Sequence, residues 1–133
     1  MYYKSFYDYN TTIPTQMGQL RNLVSLDMDW SRFMRHIPTE MGRLRSLQFW
    51  RLQGSHTTNQ VSGTIPTQVG MLTKLQEFMM KNNTLSGTIP NELCNCSSLE
   101  AFRVEDNRLE GVLPACIGNL QQLQHWDTFG NSE

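Results

Sequence analysis

The sequence predicts a solenoid, a fold in which one short structural unit repeats along the chain. The five prolines among the 133 residues fall at positions 14, 38, 66, 90 and 114, with spacings of 24, 28, 24 and 24. Each proline follows isoleucine or leucine, and seven of the nine glycines lie four residues after a proline or three before one. Self-similarity at a fixed period of 20–50 residues is typical of solenoids. We therefore expect one domain of about five stacked units.

Composition and charge exclude several classes of protein. The formal net charge is −1, so the chain lacks the basic footprint of a nucleic-acid-binding protein. No apolar run approaches the roughly 20 residues that cross a bilayer, and no apolar segment of a signal peptide follows Met1. We expect no nucleic-acid partner and no membrane contact by this segment itself.

The first half of the third unit predicts a helical turn followed by a strand. Pro66 suits the first position of a helical turn, where its missing N–H costs nothing. Gly70, four residues later, can end that turn. The pattern Leu75-x-x-Phe78-x-Met80 then alternates with period 2, which predicts a short strand with Phe78 and Met80 facing inward.

The second half of the unit returns the chain to the next proline. The amide of Asn83 can bond backbone groups that a tight coil would leave unpaired. Leu85 points inward again, and Gly87 permits a bend before the next Ile-Pro pair. One such unit buries too little apolar surface to fold alone, so stacking on its neighbours must stabilise it.

The repeat resembles the leucine-rich repeat in its plant-type form, L-x-x-L-x-x-L-x-L-x-x-N-x-L-x-G-x-I-P-x-x-L-G. The resemblance covers about residues 9–133. Such repeats occur in extracellular parts of plant receptor-like kinases and receptor-like proteins, in polygalacturonase-inhibiting proteins, and in algal repeat families. The resemblance implies an α/β fold: a right-handed solenoid with a concave parallel sheet and short 3-10 or helical turns on the convex side.

The same register divides the chain. Residues 1–12 are interpreted as a degenerate partial repeat or tail, and residues 13–133 as the solenoid, with units that start at positions 13, 37, 65, 89 and 113. The cap sequences of the family are absent, so we interpret the chain as a segment of a longer array. The alternatives are end-to-end self-association or an unusual cap formed by Tyr2, Tyr3, Phe6 and Tyr7.

Three departures from the repeat stand out near the second unit. Arg35 replaces the bend glycine, and Ser31 replaces the ladder asparagine. Four extra residues near Ser55-His56-Thr57-Thr58 leave either Asn59 or Ser55 as the ladder residue of the second unit.

Aligning the units sorts the strand residues into columns. The inward column is Leu26, Trp50, Phe78, Phe102 and Trp126. By resemblance, a partner docks on the outward positions that flank it. The candidate ligand-binding residues are Asp27, Asp29, Trp30, Phe49, Arg51, Met79, Lys81, Arg103, Glu105 and Asp127.

Trp30, Phe49 and Arg51 are the best candidates for binding, because aromatic and arginine side chains are enriched at interface hot spots. The alternative is that the charged residues serve only as a ladder. Adjacent strands are about 4.8 Å apart, so Asp27 would pair with Arg51, and Arg103 with Asp127.

No catalytic or metal-binding constellation emerges. Asp27 and Asp29 could face the same side of a strand, but Arg51 beside Asp27 would hold it ionised. The three histidines fall at different places in different units. We expect no enzyme activity from this chain, no cofactor and no metal; a kinase or other catalytic domain could only lie outside it.

The cysteines and the acceptor triplets leave their alternatives open. Cys94, Cys96 and Cys116 could form one disulfide with one thiol left over, or could all be small buried core residues. Asn10, Asn82 and Asn95 each begin an N-glycosylation acceptor triplet.

The sequence therefore predicts a receptor-like leucine-rich-repeat module that binds a protein or peptide on its concave face. The alternatives are an inhibitor of a secreted cell-wall hydrolase and an intracellular scaffold. By resemblance the location is extracellular or at the cell surface; since no signal peptide is seen, a cytoplasmic location is the alternative.

Overall fold

The computed structural model describes residues 11–55 and 59–132, which form two five-stranded parallel sheets joined by 3-10 helices. The concave sheet consists of β2 (Ser25–Asp27), β4 (Phe49–Arg51), β6 (Glu77–Met79), β8 (Ala101–Arg103) and β10 (His125–Asp127). The second sheet consists of β1 (Thr11–Thr12), β3 (Phe33–Arg35), β5 (Gln60–Gly63), β7 (Thr84–Gly87) and β9 (Arg108–Leu109). The 3-10 helices are η1 (Thr15–Gln19), η2 (Thr39–Arg43), η3 (Thr67–Met71), η4 (Asn91–Asn95) and η5 (Ala115–Asn119). The predicted solenoid of about five repeats is confirmed.

The strands of the concave sheet pair in the predicted register. Leu26 is opposite Trp50, Trp50 is opposite Phe78, and the inward column continues through Phe102 to Trp126. Its rings contact one another: the centroids of Trp50 and Phe78 are 5.4 Å apart in an edge-to-face arrangement, and those of Phe102 and Trp126 are 4.6 Å apart and stacked. Aromatic pairs at such distances add about 0.5–1.5 kcal/mol beyond their buried area. The column is therefore the spine of the core.

Each 3-10 helix begins directly after a proline, so the proline precedes the first helical position that the sequence predicts for it. Pro14, Pro38, Pro66 and Pro90 are extended, with ψ angles between 131° and 140°. The turns stack closely because a glycine lies where one turn meets the backbone of the next. A Cβ added to Gly70 would lie 2.3 Å from the Glu92 carbonyl oxygen. The same clash would occur at Gly42, whose added Cβ would lie 2.6 Å from the Gln68 carbonyl oxygen.

A disulfide joins the last two turns. Cys94 occupies the position of Gly70 in its repeat, and Cys116 occupies the position of Glu92. The two cysteines are bonded to each other, whereas Cys96 remains a thiol. Cys96 is buried, its Sγ donates a hydrogen bond to the Val69 carbonyl at 3.3 Å, and burial raises its pKa to about 12. A covalent bond thus replaces the glycine contact between repeats four and five.

Asparagines form a ladder between the two sheets. The Asn83 Oδ1 accepts a hydrogen bond from the Val61 N–H at 3.0 Å, and its Nδ2 donates to the carbonyls of Leu52 and Met80 at 2.8 and 3.0 Å. The other members make equivalent bonds; they are Asn59, Asn107 and Asn131. These bonds satisfy backbone groups of two successive repeats inside the core.

In the second repeat Asn59, not Ser55, is the ladder residue. The Asn59 Oδ1 accepts from the Phe33 N–H at 2.7 Å, and its Nδ2 donates to the Met28 and Gln53 carbonyls. Asn83 bonds a carbonyl two residues earlier, at Lys81, whereas Asn59 bonds the matching carbonyl six residues earlier, at Gln53. The four extra residues therefore lie between Gly54 and Asn59.

The bend before each Ile-Pro or Leu-Pro pair needs a left-handed backbone. Gly63, Gly87 and Gly111 have φ angles of 74°, 72° and 82°. Arg35 holds the same place with a φ of 68°. The substitution identified in the sequence thus keeps the backbone of its position and adds a side chain to it.

The predicted domain boundaries stay predictions. Only Thr11 and Thr12 of the interpreted tail are described, and they pair with β3 as strand β1. The suggested cap of Tyr2, Tyr3, Phe6 and Tyr7 lies outside the described residues.

Candidate functional site

The candidate site is the outward surface of the concave sheet, where three rows of side chains cross the repeats. The first row is Ser25, Phe49, Glu77, Ala101 and His125, and the second is Asp27, Arg51, Met79, Arg103 and Asp127. The third row lies just beyond the strand ends and consists of Asp29, Gln53, Lys81, Glu105 and Phe129. In each of the first four repeats, the N–H of the residue after the row member bonds the carbonyl of the row member in the next repeat, at 2.9–3.2 Å. Parallel register places each row across the full width of the sheet.

Arg51 pairs with Glu77, which corrects the predicted pair with Asp27. Its Nη2 and Nε lie 2.7 and 3.2 Å from Glu77 Oε2. The hydrogen bond and charge of Glu77 raise the pKa of the Arg51 guanidinium above its ordinary value, with smaller contributions from Asp27 and Asp29. The Arg51 side chain stays 41% exposed, so its guanidinium is oriented but accessible.

The two aspartates of the first repeat make structural bonds. Asp27 Oδ1 accepts from the Asp29 N–H at 3.1 Å. Asp29 accepts from Gln53 twice, from its N–H at 2.6 Å and from its Nε2 at 2.8 Å. The carboxylate of Asp29 therefore bridges two repeats.

Trp30 and Phe49 lie at opposite ends of this surface. The Trp30 N–H bonds the Gln53 carbonyl, which aligns Trp30 with Gly54, five residues beyond Phe49. At about 3.3 Å per residue, the two backbones are roughly 16 Å apart along the strand. Trp30 is 58% exposed and has a φ of 59°, a left-handed conformation that is uncommon for an aromatic residue. The three favoured residues span the face rather than forming one compact cluster.

The predicted pair of Arg103 and Asp127 is present, with Nε and Oδ2 3.2 Å apart. Met79 lies between Arg51 and Arg103 in this row and is half-buried. Charge complementarity along this row is therefore local, from one repeat to the next.

Glu105 is buried in a way that its row does not predict. It lies between Lys81 and Phe129, is only 7% exposed, and its Oε2 has no hydrogen-bond partner. Phe129, the next residue of the row, is 67% exposed. Alternation alone places Glu105 on the outward face, but its burial depends on the side chains around it.

A polar groove on the flank of the solenoid was not predicted. It has a volume of about 770 Å³ and lies between the concave and the second sheet across three repeats. Its lining residues are Ser55, Asn59, Gln60, Asn82, Asn83, Thr84, Asp106, Asn107 and Arg108. The asparagine positions were a sequence signal for this edge, but the groove itself is formed by backbone turns.

The acceptor asparagines differ in exposure. Asn82 is partly buried in the flank groove and has a φ of 54°, whereas Asn95 is exposed at the end of η4. Asn10 lies outside the described residues. Glycosylation stays a prediction at all three.

Within residues 11–55 and 59–132 no three His, Cys, Asp or Glu side chains are grouped as metal ligands would be. Nor does any helix of these ranges have the length and apolar character to cross a membrane.

Comparison with known proteins gives matches to leucine-rich-repeat proteins. The family model described as Leucine Rich Repeat matches residues 74–96. The plant peptide hormone receptor RGFR1, solved in complex with RGF2, is 34% identical with a TM-score of 0.79; the match covers 90% of this chain and 19% of the receptor chain. A comparison of the sequence with curated proteins gives no match.

Two further structures are from Arabidopsis. The BIR3–SERK2 complex gives 32% identity and a TM-score of 0.76, covering 83% of this chain and 57% of the other. The leucine-rich-repeat ectodomain of the receptor kinase HAESA, in complex with an IDA peptide hormone ligand, is 30% identical with a TM-score of 0.79. The match covers 90% of this chain and 20% of the ectodomain chain. The chain thus spans between a fifth and three fifths of these structures.

The repeat sequence, the paired sheets and the matched structures agree. The chain is a solenoid of plant-type leucine-rich repeats.

Proposed function

We propose that this chain is a non-enzymatic recognition module that binds a peptide or protein through the outward rows of its concave sheet. By analogy with the ectodomains that it resembles, it acts outside the cell or at the cell surface. The observation that carries the proposal is the oriented and accessible guanidinium of Arg51 on the concave face, with the exposed Trp30, held in a left-handed conformation, just beyond the third row at the edge of that face. Strained backbone at an exposed aromatic residue favours a functional role.

Arg51 supports the proposal through its orientation. The bond to Glu77 orients the guanidinium before any ligand arrives. Less side-chain conformational entropy is therefore lost when a ligand binds. Arginine offers five N–H donors, so the N–H groups that Glu77 leaves unbonded remain available to a carboxylate or carbonyl of a ligand.

The test is a selection of peptides from a displayed random library on the immobilised chain, followed by affinity measurement on variants. We expect Trp30→Asn and Arg51→Ala each to weaken the selected peptides at least ten-fold. Asparagine suits position 30 because Asn82 holds the equivalent place with a φ of 54°. Arg51→Ala removes only a surface pair, worth about 0–1 kcal/mol, so the fold should persist.

Arg43→Ala is the matched control, because Arg43 is exposed in η2 on the convex side. Its affinity for the selected peptides should equal that of the unmodified chain. If Trp30→Asn and Arg51→Ala both keep full affinity while their urea unfolding is unchanged, the concave face is not the binding surface.

A further inference from the structure

Glu105 is buried, and one oxygen of its carboxylate lacks the partner that a buried charge ordinarily has. The residue is 7% exposed, and Oε2 forms no hydrogen bond with any described residue. Burying a charged group is costly unless it is paired, so an unpaired buried carboxylate calls for an explanation.

The nearby arginine forms its ion pair with another carboxylate. Arg103 lies two residues before Glu105, and its Nε is 3.2 Å from Asp127 Oδ2, within ion-pair distance but without hydrogen-bond geometry. The other ion pair of the sheet joins Arg51 to Glu77. Lys81 is the adjacent cation of the row, and the ion pairs of this sheet do not include it.

An exposed aromatic residue is the neighbour of Glu105 in the next repeat. The Asp106 N–H bonds the Phe129 carbonyl at 3.0 Å, which aligns Phe129 with Glu105 just beyond the ends of β10 and β8. Paired parallel chains lie about 4.8 Å apart, so the two residues are neighbours at this edge of the sheet. A cation within about 6 Å of a ring centroid is attracted by the face of the ring.

We propose that Glu105 and Phe129 form a subsite for a basic side chain of the bound ligand, with the carboxylate pairing the cation and the ring covering it. The subsite rests on the proposed function, since it lies on the same concave face. It makes the ligand class specific: a peptide or protein segment with an exposed arginine or lysine. Lys81 is the internal competitor for the carboxylate.

The probe is N-acetyl-arginine amide, titrated into the isotope-labelled full chain and followed by the backbone amide signals. N-acetyl-citrulline amide is the matched neutral probe, since it has nearly the same shape without the charge. We expect saturable shifts centred on residues 81, 105 and 129 with the arginine probe, and at least ten-fold weaker binding of the citrulline probe.

Variants separate the contributions. Glu105→Gln should weaken the arginine probe at least ten-fold, and Phe129→Leu several-fold, because leucine keeps the apolar bulk but lacks the ring. Lys81→Met should tighten binding by removing the competitor. Glu92→Gln is the charge-matched control: Glu92 is exposed in η4 on the convex side, and its loss should change nothing.

Stability measurements identify the opposite case. If Glu105 is instead the partner of Lys81, Glu105→Gln and Lys81→Met should each lower the urea midpoint, and the double variant should cost no more than either one. That result, or equal binding of both probes, or full arginine affinity in Glu105→Gln, overturns the subsite.

The two proposals can fail separately. If the arginine probe does not bind at Glu105 but the selected peptides still require Trp30 and Arg51, the subsite is rejected and the concave-face function is not. Binding of the arginine probe at Glu105, with no effect of Trp30→Asn or Arg51→Ala on selected peptides, would reject the proposed function alone.

Discussion

Arg35 shows how one residue can preserve a repeat at a local cost. It adopts a φ of 68° where other repeats use glycine, because the chain must turn before the next Ile-Pro pair whatever side chain is present. A non-glycine residue in the left-handed region costs about 1–2 kcal/mol through the contact of Cβ with the following carbonyl. The fold therefore bears backbone strain at this bend.

Replacing Arg35 by glycine and by alanine separates the backbone from the side chain. Both changes remove the interactions of the arginine side chain, but only glycine relieves the strain. We expect Arg35→Gly to be more stable than Arg35→Ala by about 1 kcal/mol. Urea unfolding monitored by tryptophan fluorescence measures the difference, and equal midpoints for the two variants would contradict it.

At the scale of elements, the turns of this solenoid stack in two ways. In repeats one to three a glycine allows the backbone of the next turn to approach, as Gly70 does with Glu92. Between repeats four and five both positions of that contact are cysteines, and the bond between Cys94 and Cys116 spans the gap. A reductant can therefore break the covalent bond that holds the last turn.

Removing that bond should destabilise the chain by about 3 kcal/mol, as expected for a closed loop of this length. Cys94→Ser with Cys116→Ser leaves a side chain where the backbone contact would need glycine. Cys94→Gly with Cys116→Gln restores the pair found at Gly42 and Gln68 and should recover part of the loss. Urea unfolding of both double variants, with and without a reductant, checks this; a serine variant as stable as the glycine variant would contradict it.

The period explains which features the sequence could predict. A fixed register decides which residues face inward, so the column from Leu26 to Trp126 and the pair of Arg103 with Asp127 were predicted correctly. Register does not determine which of several nearby carboxylates a long side chain contacts, and Arg51 pairs with Glu77. The burial of Glu105 depends on how its neighbours pack, for which the pattern carries no signal.

At the scale of the whole molecule, charge and apolar surface are distributed along the solenoid axis. Residues 11–55 contain six Lys or Arg and three Asp or Glu, whereas residues 59–132 contain four and seven. Val112 and Leu113 of the last described repeat are 89% and 53% exposed, although Ile65, the counterpart of Leu113, is buried. Opposite charge and exposed apolar groups together favour head-to-tail contact.

We therefore expect this chain to self-associate end to end at low salt. The weight-average mass by sedimentation should rise with protein concentration in 20 mM salt and fall toward the monomer in 0.5 M salt, where charges are screened. Val112→Ser with Leu113→Ser should weaken the association, whereas Met71→Ser, at another exposed apolar residue, should not. A monomer at all concentrations in low salt would contradict the expectation.

The four extra residues of the second repeat lie between two fixed points. An added Cβ at Gly54 would lie 2.3 Å from the carbonyl oxygens of both Asn59 and Asn82, and Asn59 is bonded to backbone on both sides. A change in the length of the chain between these two residues therefore need not shift the register of the later repeats. The stretch after Ser55 and before Asn59 is consequently a natural graft site: a foreign epitope or reporter peptide spliced there would leave the register of the later repeats unchanged.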